Sequence, residues 1–117
     1  MSSPIERTGT TQRWSDTVTH NQTVYLCEVP EDPKADIAGQ TLNVLGLLEA
    51  RLKEAGSSKS RILSCTIFIT DRAHIAKFNE LWDAWVPEGC APVRACVVAD
   101  LLNPDWKVEI QMTAAVA

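Results

Sequence analysis

Residues 91–114 read APVRACVVADLLNPDWKVEIQMTA, and apolar side chains recur at alternate positions on either side of the turn sequence LNPD. Such alternation is typical of a β-strand with one buried face. Pairing Leu101 with Trp106 across the turn sets apolar residues opposite each other along both runs, and a slip of one residue would break this match. The stretch therefore predicts that the last two strands form a hairpin.

Polar side chains of the two runs fall together on the other face in this register. Arg94 would lie opposite Thr113 and Cys96 opposite Gln111, with Glu109 two residues before Gln111. The prediction is a polar-edged patch of Arg94, Cys96, Glu109 and Gln111 on the sheet face away from the helices. Such a face could be solvated or could line a pocket, and the residues alone leave both interpretations open.

Arg94 is the most informative residue of that patch. A guanidinium keeps its charge at any accessible pH and presents a planar fork of donors that matches a carboxylate. Its neighbours between Ala91 and Leu101 are apolar or small apart from Asp100. Because an unpaired buried charge is very costly, Arg94 needs a partner. That partner is either an acid elsewhere in the fold, such as Glu109, or a ligand.

Three further strands are predicted upstream of residue 91. Arg13 to Thr19 and Thr23 to Val29 are β-type runs on either side of Asn21-Gln22, which predicts a hairpin. Ser64 to Thr70 is another alternating run, with one face slightly more polar than the other. These runs supply the remainder of the predicted sheet.

Two segments have helical periodicity. Apolar residues recur at helical spacing from Ala38 to Leu52, and Gly56 follows as a C-cap. A second apolar stripe runs from Ile75 to Trp85, after Asp71 as an N-cap. The element order is ββαβαββ, so we predict an α+β fold: a mixed β-sheet with two helices packed on one face.

Composition limits the classes of function. At 117 residues, the chain has the size of one domain, residues 1–117. Its net charge is −4 and no two basic residues are adjacent, so nucleic acid, which requires a basic surface, is not an expected partner. No apolar segment approaches the roughly 20 residues needed to cross a bilayer, so we expect no membrane association. No secretory signal is visible.

The cysteines lie at positions 27, 65, 90 and 96, with no CxxC pair. A zinc site, or any other metal site, is therefore not expected. Free thiols in a chain without a signal favour a reducing cytoplasm, and inert packing is the commonest role of such residues. Oxidation of Cys27, Cys90 or Cys96 in a thiol-based stress protein stays an alternative.

Pro92-x-Arg94 in β-type sequence, followed by x-Glu109-Ile110, carries a resemblance to a known family. With these motifs the sequence resembles the Rid family, also called YjgF/RidA, the reactive-intermediate deaminases. The resemblance covers nearly the whole chain, and a Pro-x-Arg followed by x-Glu-Ile at this spacing is quite specific. The stretches around Trp14, at Val29-Pro30 and from Trp82 to Val86 resemble the YoaB-like branch. The matching segments are Ala91 to Val97, Lys107 to Ile110, Val29-Pro30, Gln40-Thr41 with Leu45, Thr66 to Asp71, and Asn79.

The resemblance implies a chorismate-mutase-like fold assembled as a homotrimer, with the sheets forming a barrel-like core and three clefts between subunits. It implies hydrolysis of small 2-imino or 2-enamino acids to 2-oxo acids and ammonia, without metal or organic cofactor. Arg94 would anchor the substrate carboxylate, and backbone groups of Cys96 would hold the substrate nitrogen. Asn79, Trp14 and Cys27 would also contact the substrate, although Asn79 could equally be an ordinary amide on the helix surface.

Three positions depart from the family pattern. Gln111 stands where a glutamate usually positions or activates the water, and Gln cannot accept a proton at neutral pH. Glu109 lies on the same face, roughly 7 Å away along the strand. Cys27 lies where a small Ser-Gly pair usually lines the cleft, and Trp14 replaces a tyrosine as packing residue or cleft wall. A non-catalytic or weakly catalytic trimer that binds small carboxylates is therefore the alternative.

Overall fold

A computed structural model describes residues 4–117. Six strands and two α-helices form within this range. The elements in chain order are β1 (Glu6–Thr8), β2 (Thr17–His20), β3 (Thr23–Glu28), α1 (Ile37–Glu54), β4 (Ile62–Ile69), α2 (Ile75–Trp85), β5 (Val93–Val98) and β6 (Val108–Ala115). Short 3₁₀ turns at Lys59–Arg61 and Arg72–His74 precede β4 and α2.

The strands form one sheet in the order β1-β2-β3-β6-β4-β5. All neighbours are antiparallel except β4 and β5, which are parallel. The buried apolar residues of the strands and of both helices form a single core cluster. The predicted α+β fold, a mixed sheet with two helices on one face, is confirmed. The sequence pattern missed only β1, a three-residue exposed strand with no periodicity to detect.

The predicted hairpin around Asn21-Gln22 is confirmed as β2 and β3, with His20 paired to Thr23. Asn21 and Gln22 have φ angles of 51° and 62°. Two consecutive residues of positive φ define the type I′ turn, whose twist matches that of the flanking strands. The hairpin therefore has a two-residue loop, as the sequence predicts.

Helix α1 begins and ends with local hydrogen bonds of its own sequence. The Asp36 side chain accepts from the backbone N–H of Gly39 at 2.8 Å and caps the N-terminus. At the other end Gly56 has a φ of +83°, which allows Ser57 N–H to donate to Leu52 O at 2.8 Å. This is the Schellman motif, and it confirms Gly56 as the residue that ends the helix.

Helix α2 carries the predicted apolar stripe. Asp71 caps the 3₁₀ turn that leads into the helix, because its Oδ1 accepts from Ala73 N–H at 2.9 Å. Phe78 and Trp82 are buried in the core, with ring centroids 6.0 Å apart. The stripe thus fixes which face of α2 meets the sheet.

The predicted hairpin of the last two strands is wrong. Strand β6 lies between β3 and β4, while β5 is an edge strand that pairs only with β4. Apolar alternation determines which residues share a face but not which strand lies alongside, and β6 is the more completely buried of the two. The central place in the sheet therefore goes to β6.

Residues 99–107 carry the chain from β5 across β4 to β6, and Gln40 of α1 holds the end of this crossover. The buried Gln40 side chain donates to Asp105 O at 3.0 Å and accepts from Lys107 N–H at 2.7 Å. These bonds satisfy backbone groups just before β6 begins. The LNPD sequence is thus part of a long connection rather than a tight hairpin turn.

Neither helix of the described residues is long and apolar enough to cross a bilayer.

Candidate functional site

Arg94 projects from β5 toward α2, on the helix side of the sheet. Its Nη2 donates to Asn79 Oδ1 at 2.8 Å. The guanidinium carbon lies 5.8 Å from the centroid of the Phe78 ring and 5.6 Å from that of Trp82. Cation–π attraction at these distances favours the charged side chain without neutralising it. Arg94 makes no ion pair within residues 4–117.

The predicted stripe on α2 explains this arrangement. Phe78 and Trp82 are four residues apart and lie over one another on the buried face of the helix. Asn79 is one position further around the helix, at the edge of that face, where its amide reaches Arg94. The structure thus brings Asn79 and Arg94 together. Asn79, which matches the family pattern, contacts the predicted carboxylate anchor directly.

A cleft of about 590 Å³ opens beside Arg94. It is lined by Ile69, Arg72, Ile75, Arg94, Cys96 and Val98. Two of these side chains are cationic and none is acidic, so the cleft attracts anions. Arg72 was missed by the sequence interpretation, since only the parallel pairing of β4 with β5 brings the start of α2 beside Arg94.

The predicted patch of four polar residues is split between two faces. Arg94 pairs with Cys65 and Cys96 with Ile67 of β4, which places both on the helix side of the sheet. Glu109 and Gln111 alternate with the buried residues of β6 and lie on the opposite side. The patch was predicted from the hairpin register, and it is wrong for the same reason as that hairpin.

A second polar group forms on the face away from the helices. Cys27 of β3 lies directly opposite Gln111 of β6, and Thr66 of β4 flanks Gln111 on the other side. The Cys27 thiol donates to Glu109 Oε2 at 3.5 Å. The structure therefore brings Cys27, Glu109 and Gln111 together, and separates all three from Arg94 within one chain.

Neither thiol of these two groups is activated. Desolvation of the sulfur, followed by the charge and hydrogen bond of Glu109, raises the pKa of Cys27 to about 12. Desolvation also raises the pKa of Cys96, although the nearby Arg94 charge acts in the opposite direction. Since the thiolate is the reactive form, both residues are poor nucleophiles near neutral pH.

Trp14 lies in the loop between β1 and β2. Thr11 organises this loop, because its hydroxyl accepts from Trp14 N–H at 3.1 Å and its own N–H donates to Trp14 O at 2.7 Å. The indole is 62 % exposed and lines neither the Arg94 cleft nor the Cys27 group. Within one chain, Trp14 is thus a large apolar surface without a partner among the described residues.

Residues 4–117 contain no cluster of three or more His, Cys, Asp or Glu side chains that could hold a metal ion.

Comparison with known proteins identifies the family. The model of the family described as Endoribonuclease L-PSP matches residues 4–116. The RutC family protein YoaB of Escherichia coli is 50% identical over 112 residues, which are 96% of this chain and 98% of YoaB. A RutC family protein of Haemophilus influenzae is 40% identical over 112 residues, 94% of this chain and 97% of that protein.

Solved structures agree with the sequence comparison. A YjgF-family protein from Neisseria meningitidis is 41% identical and superimposes with a TM-score of 0.94, covering 97% of this chain and 96% of that one. A Rid-family protein from Yersinia pestis is 28% identical with a TM-score of 0.85, covering 92% and 90%. The six-stranded sheet with two helices on one face is the fold of this class of small α+β proteins. The chain belongs to the YjgF family, which also carries the names Rid and RutC.

Proposed function

We propose that the protein hydrolyses small 2-imino or 2-enamino acids to 2-oxo acids and ammonia, in a cleft between subunits of a homotrimer. The observation that carries this proposal is the state of Arg94. Its guanidinium is fixed by a neutral amide and two aromatic faces, borders an open cleft, and has no acidic partner within the described chain. A small carboxylate would complete its coordination with charge-assisted hydrogen bonds.

Assembly would unite the two polar groups. Arg94 on β5 and Gln111 on β6 are two strands apart, roughly 10 Å, and point to opposite sides of the sheet. They cannot contact the same small molecule within one chain. In a cyclic homotrimer, the Arg94 cleft of one subunit would meet the Cys27, Glu109 and Gln111 group of the next.

The sheet face away from the helices supports such an assembly. It carries apolar side chains open to solvent in one chain, including Tyr25 at 46% and Val93 at 77% exposure. Val97, four residues after Val93 on the same face of the edge strand β5, is 41% exposed. Several large apolar side chains exposed on one face are typical of a protein–protein interface. We therefore place the subunit contacts on this face, with the helices outward.

The chemistry needs little from the protein, since an imine is already electrophilic. Water adds to the imine carbon, forming a C–O bond while the nitrogen gains a proton. The new hydroxyl then gives up its proton to the nitrogen, the C–N bond breaks, ammonia leaves, and the C–O bond becomes the carbonyl of the 2-oxo acid. In our proposal Gln111 holds the water, and Glu109 takes its proton and returns it to the nitrogen. Arg94 fixes the carboxylate, so that the imine carbon faces the water.

A binding protein without efficient turnover is the second candidate. Gln111 cannot accept a proton, and Glu109 already accepts a hydrogen bond from Cys27. The matched family model is described as an endoribonuclease, whose substrate would be RNA, a polyanion. The net charge of −4 on this chain favours a small acid over such a polyanion as its ligand.

A coupled assay tests the proposal. An amino-acid oxidase supplies the imine, and the rate of 2-oxo acid formation is measured with wild type, Arg94→Ala and Arg7→Ala. Arg7 lies on β1, at the opposite edge of the sheet, and serves as the matched control. We expect acceleration by wild type and Arg7→Ala, and a loss of about 100-fold in kcat/KM for Arg94→Ala.

Two results would decide against hydrolysis. Acceleration by Arg94→Ala equal to that by wild type would remove the arginine from the mechanism. No acceleration by wild type, together with a melting temperature that a 2-oxo acid raises only when Arg94 is present, would establish the binding protein instead.

A further inference from the structure

We propose that Arg72 is a second anion-binding residue of the Arg94 cleft, so that the preferred ligand is a 2-imino or 2-oxo acid with a second anionic group on its side chain. The inference rests on the proposed role of Arg94 as the carboxylate anchor. It adds a substrate class to that role, since one cation selects any small acid whereas two select a dianion.

The local structure places Arg72 at the cleft. Arg72 is the first residue of the 3₁₀ turn that follows β4 and leads into α2. The adjacent Asp71 carboxylate accepts from Ala73 N–H at 2.9 Å, as the cap of that turn. Arg72 makes no ion pair with any residue from 4 to 117. Arg72 lines the cleft and is exposed, so its charge is available to an anion bound there.

The other residues of the cleft indicate the chemistry of the part of the ligand that lies between its two anionic groups. Ile69, Ile75 and Val98 are aliphatic, and Cys96, whose pKa is raised, supplies a neutral thiol. A cleft of about 590 Å³ is within the usual range of roughly 300–1,000 Å³ for small-molecule sites. A short aliphatic chain with an acid at each end matches this surface in both charge and polarity.

Electrostatics favours a dianion over a monoanion. Two guanidinium groups in one cleft repel each other, and no acidic residue of the lining relieves that repulsion. A monoanion on Arg94 leaves the charge of Arg72 uncompensated, whereas a dianion compensates both. Clefts lined by charges of one sign also concentrate the oppositely charged ligand. The second anionic group could be a carboxylate or a phosphorus oxyacid, since an arginine binds either.

Binding of two stable 2-oxo acids tests the inference. The probes are 2-oxoglutarate and 2-oxo-5-methylhexanoate, in which an isopropyl group replaces the distal carboxylate with nearly the same shape. Titration calorimetry gives the ratio of their Kd values for wild type, Arg72→Gln, Arg94→Gln and the distant control Arg7→Gln. We expect Arg72→Gln to reduce the preference for the dianion about three- to tenfold and to leave binding of the isopropyl acid unchanged.

The outcomes separate this inference from the proposed function. Arg94→Gln should weaken both acids, and Arg7→Gln neither. A preference that Arg72→Gln leaves intact, while binding still depends on Arg94, overturns the role of Arg72 alone. Failure of wild type to bind either acid overturns both proposals. A third probe carries a phosphonate in place of the distal carboxylate. If this probe binds more tightly than 2-oxoglutarate, and Arg72→Gln removes the gain, the second anionic group of the preferred ligand is a phosphorus oxyacid.

Discussion

The two polar groups of the molecule differ in how they are built. The Arg94 group rests on a helix, where buried aromatic rings and an amide hold one permanent charge in place. The Cys27, Glu109 and Gln111 group lies on an uncovered sheet face, where Cys27 donates to Glu109 and lies opposite Gln111. The first is preorganised for an anion within one chain, whereas the second needs a partner surface to become a site.

Complementation between inactive chains tests most directly whether the two polar groups form one cleft. If each cleft combines Arg94 of one subunit with Glu109 of the next, mixed trimers of Arg94→Ala and Glu109→Gln chains regain intact clefts. Random assembly gives about one intact cleft in four, so activity should return to about a quarter of wild type from nearly none. Unfolding and refolding the two variants together, then assaying imine hydrolysis, measures this recovery.

The control for complementation is each variant refolded alone, which should stay inactive. No recovery in a mixture that forms mixed trimers, as shown by mass spectrometry of an affinity-tagged chain, would mean that the two groups never share a cleft.

The next prediction concerns Glu109, the proposed proton acceptor, which belongs to the uncovered-face group and not to the Arg94 group. Glu109→Gln removes the one carboxylate of the uncovered-face group, and general acid–base catalysis is worth about 100-fold or more. We expect a loss of that size in kcat with little change in KM, because Arg94 still binds the substrate. Gln111→Glu should raise kcat. A Glu109→Gln enzyme that keeps full kcat would show that the water needs no carboxylate.

The sequence predicted the architecture well, because periodicity reports which side of an element is buried. The stripe from Ile75 to Trp85 and the turn at Asn21-Gln22 both depend on local contacts, and both are confirmed. The position of β6 between β3 and β4 is set by pairings between residues far apart in the chain, such as Gln111 with Cys27 and with Thr66. No local pattern encodes such a contact, so the strand order was predicted wrongly.

The candidate site shows the same division between local and long-range information. Arg94 was singled out from its apolar surroundings, and Asn79 from its match to the family. Their contact at 2.8 Å and the role of Arg72 in the cleft depend on β5 lying parallel to β4. The sequence therefore named most of the side chains but not the faces on which they act.

Substitution of Asn79, the neutral amide beside Arg94, should have a smaller effect, which is measured on ligand binding. Asn79→Asp places a carboxylate about where Oδ1 now lies, 2.8 Å from the guanidinium, and it would compete with the ligand. We expect Kd for a 2-oxo acid to rise about tenfold, while Asn79→Ala, which only loosens Arg94, raises it about threefold. Titration of both variants measures the difference. Equal effects would mean that the neutrality of Asn79 is unimportant.

The thiol of the uncovered-face group should give the smallest effect of all. With a pKa of about 12, Cys27 is neutral through the physiological range, and its thiolate appears only as the pH rises toward that value. At pH 8 Cys27 is therefore almost entirely the neutral thiol, whereas about one free cysteine in four is a thiolate. Alkylation by iodoacetamide, followed by peptide mass spectrometry, should therefore be far slower at Cys27 than at glutathione. The Cys27→Ser variant should hydrolyse imines at the wild-type rate. Fast alkylation of Cys27 that also abolishes activity would contradict this prediction and favour a thiol-based function.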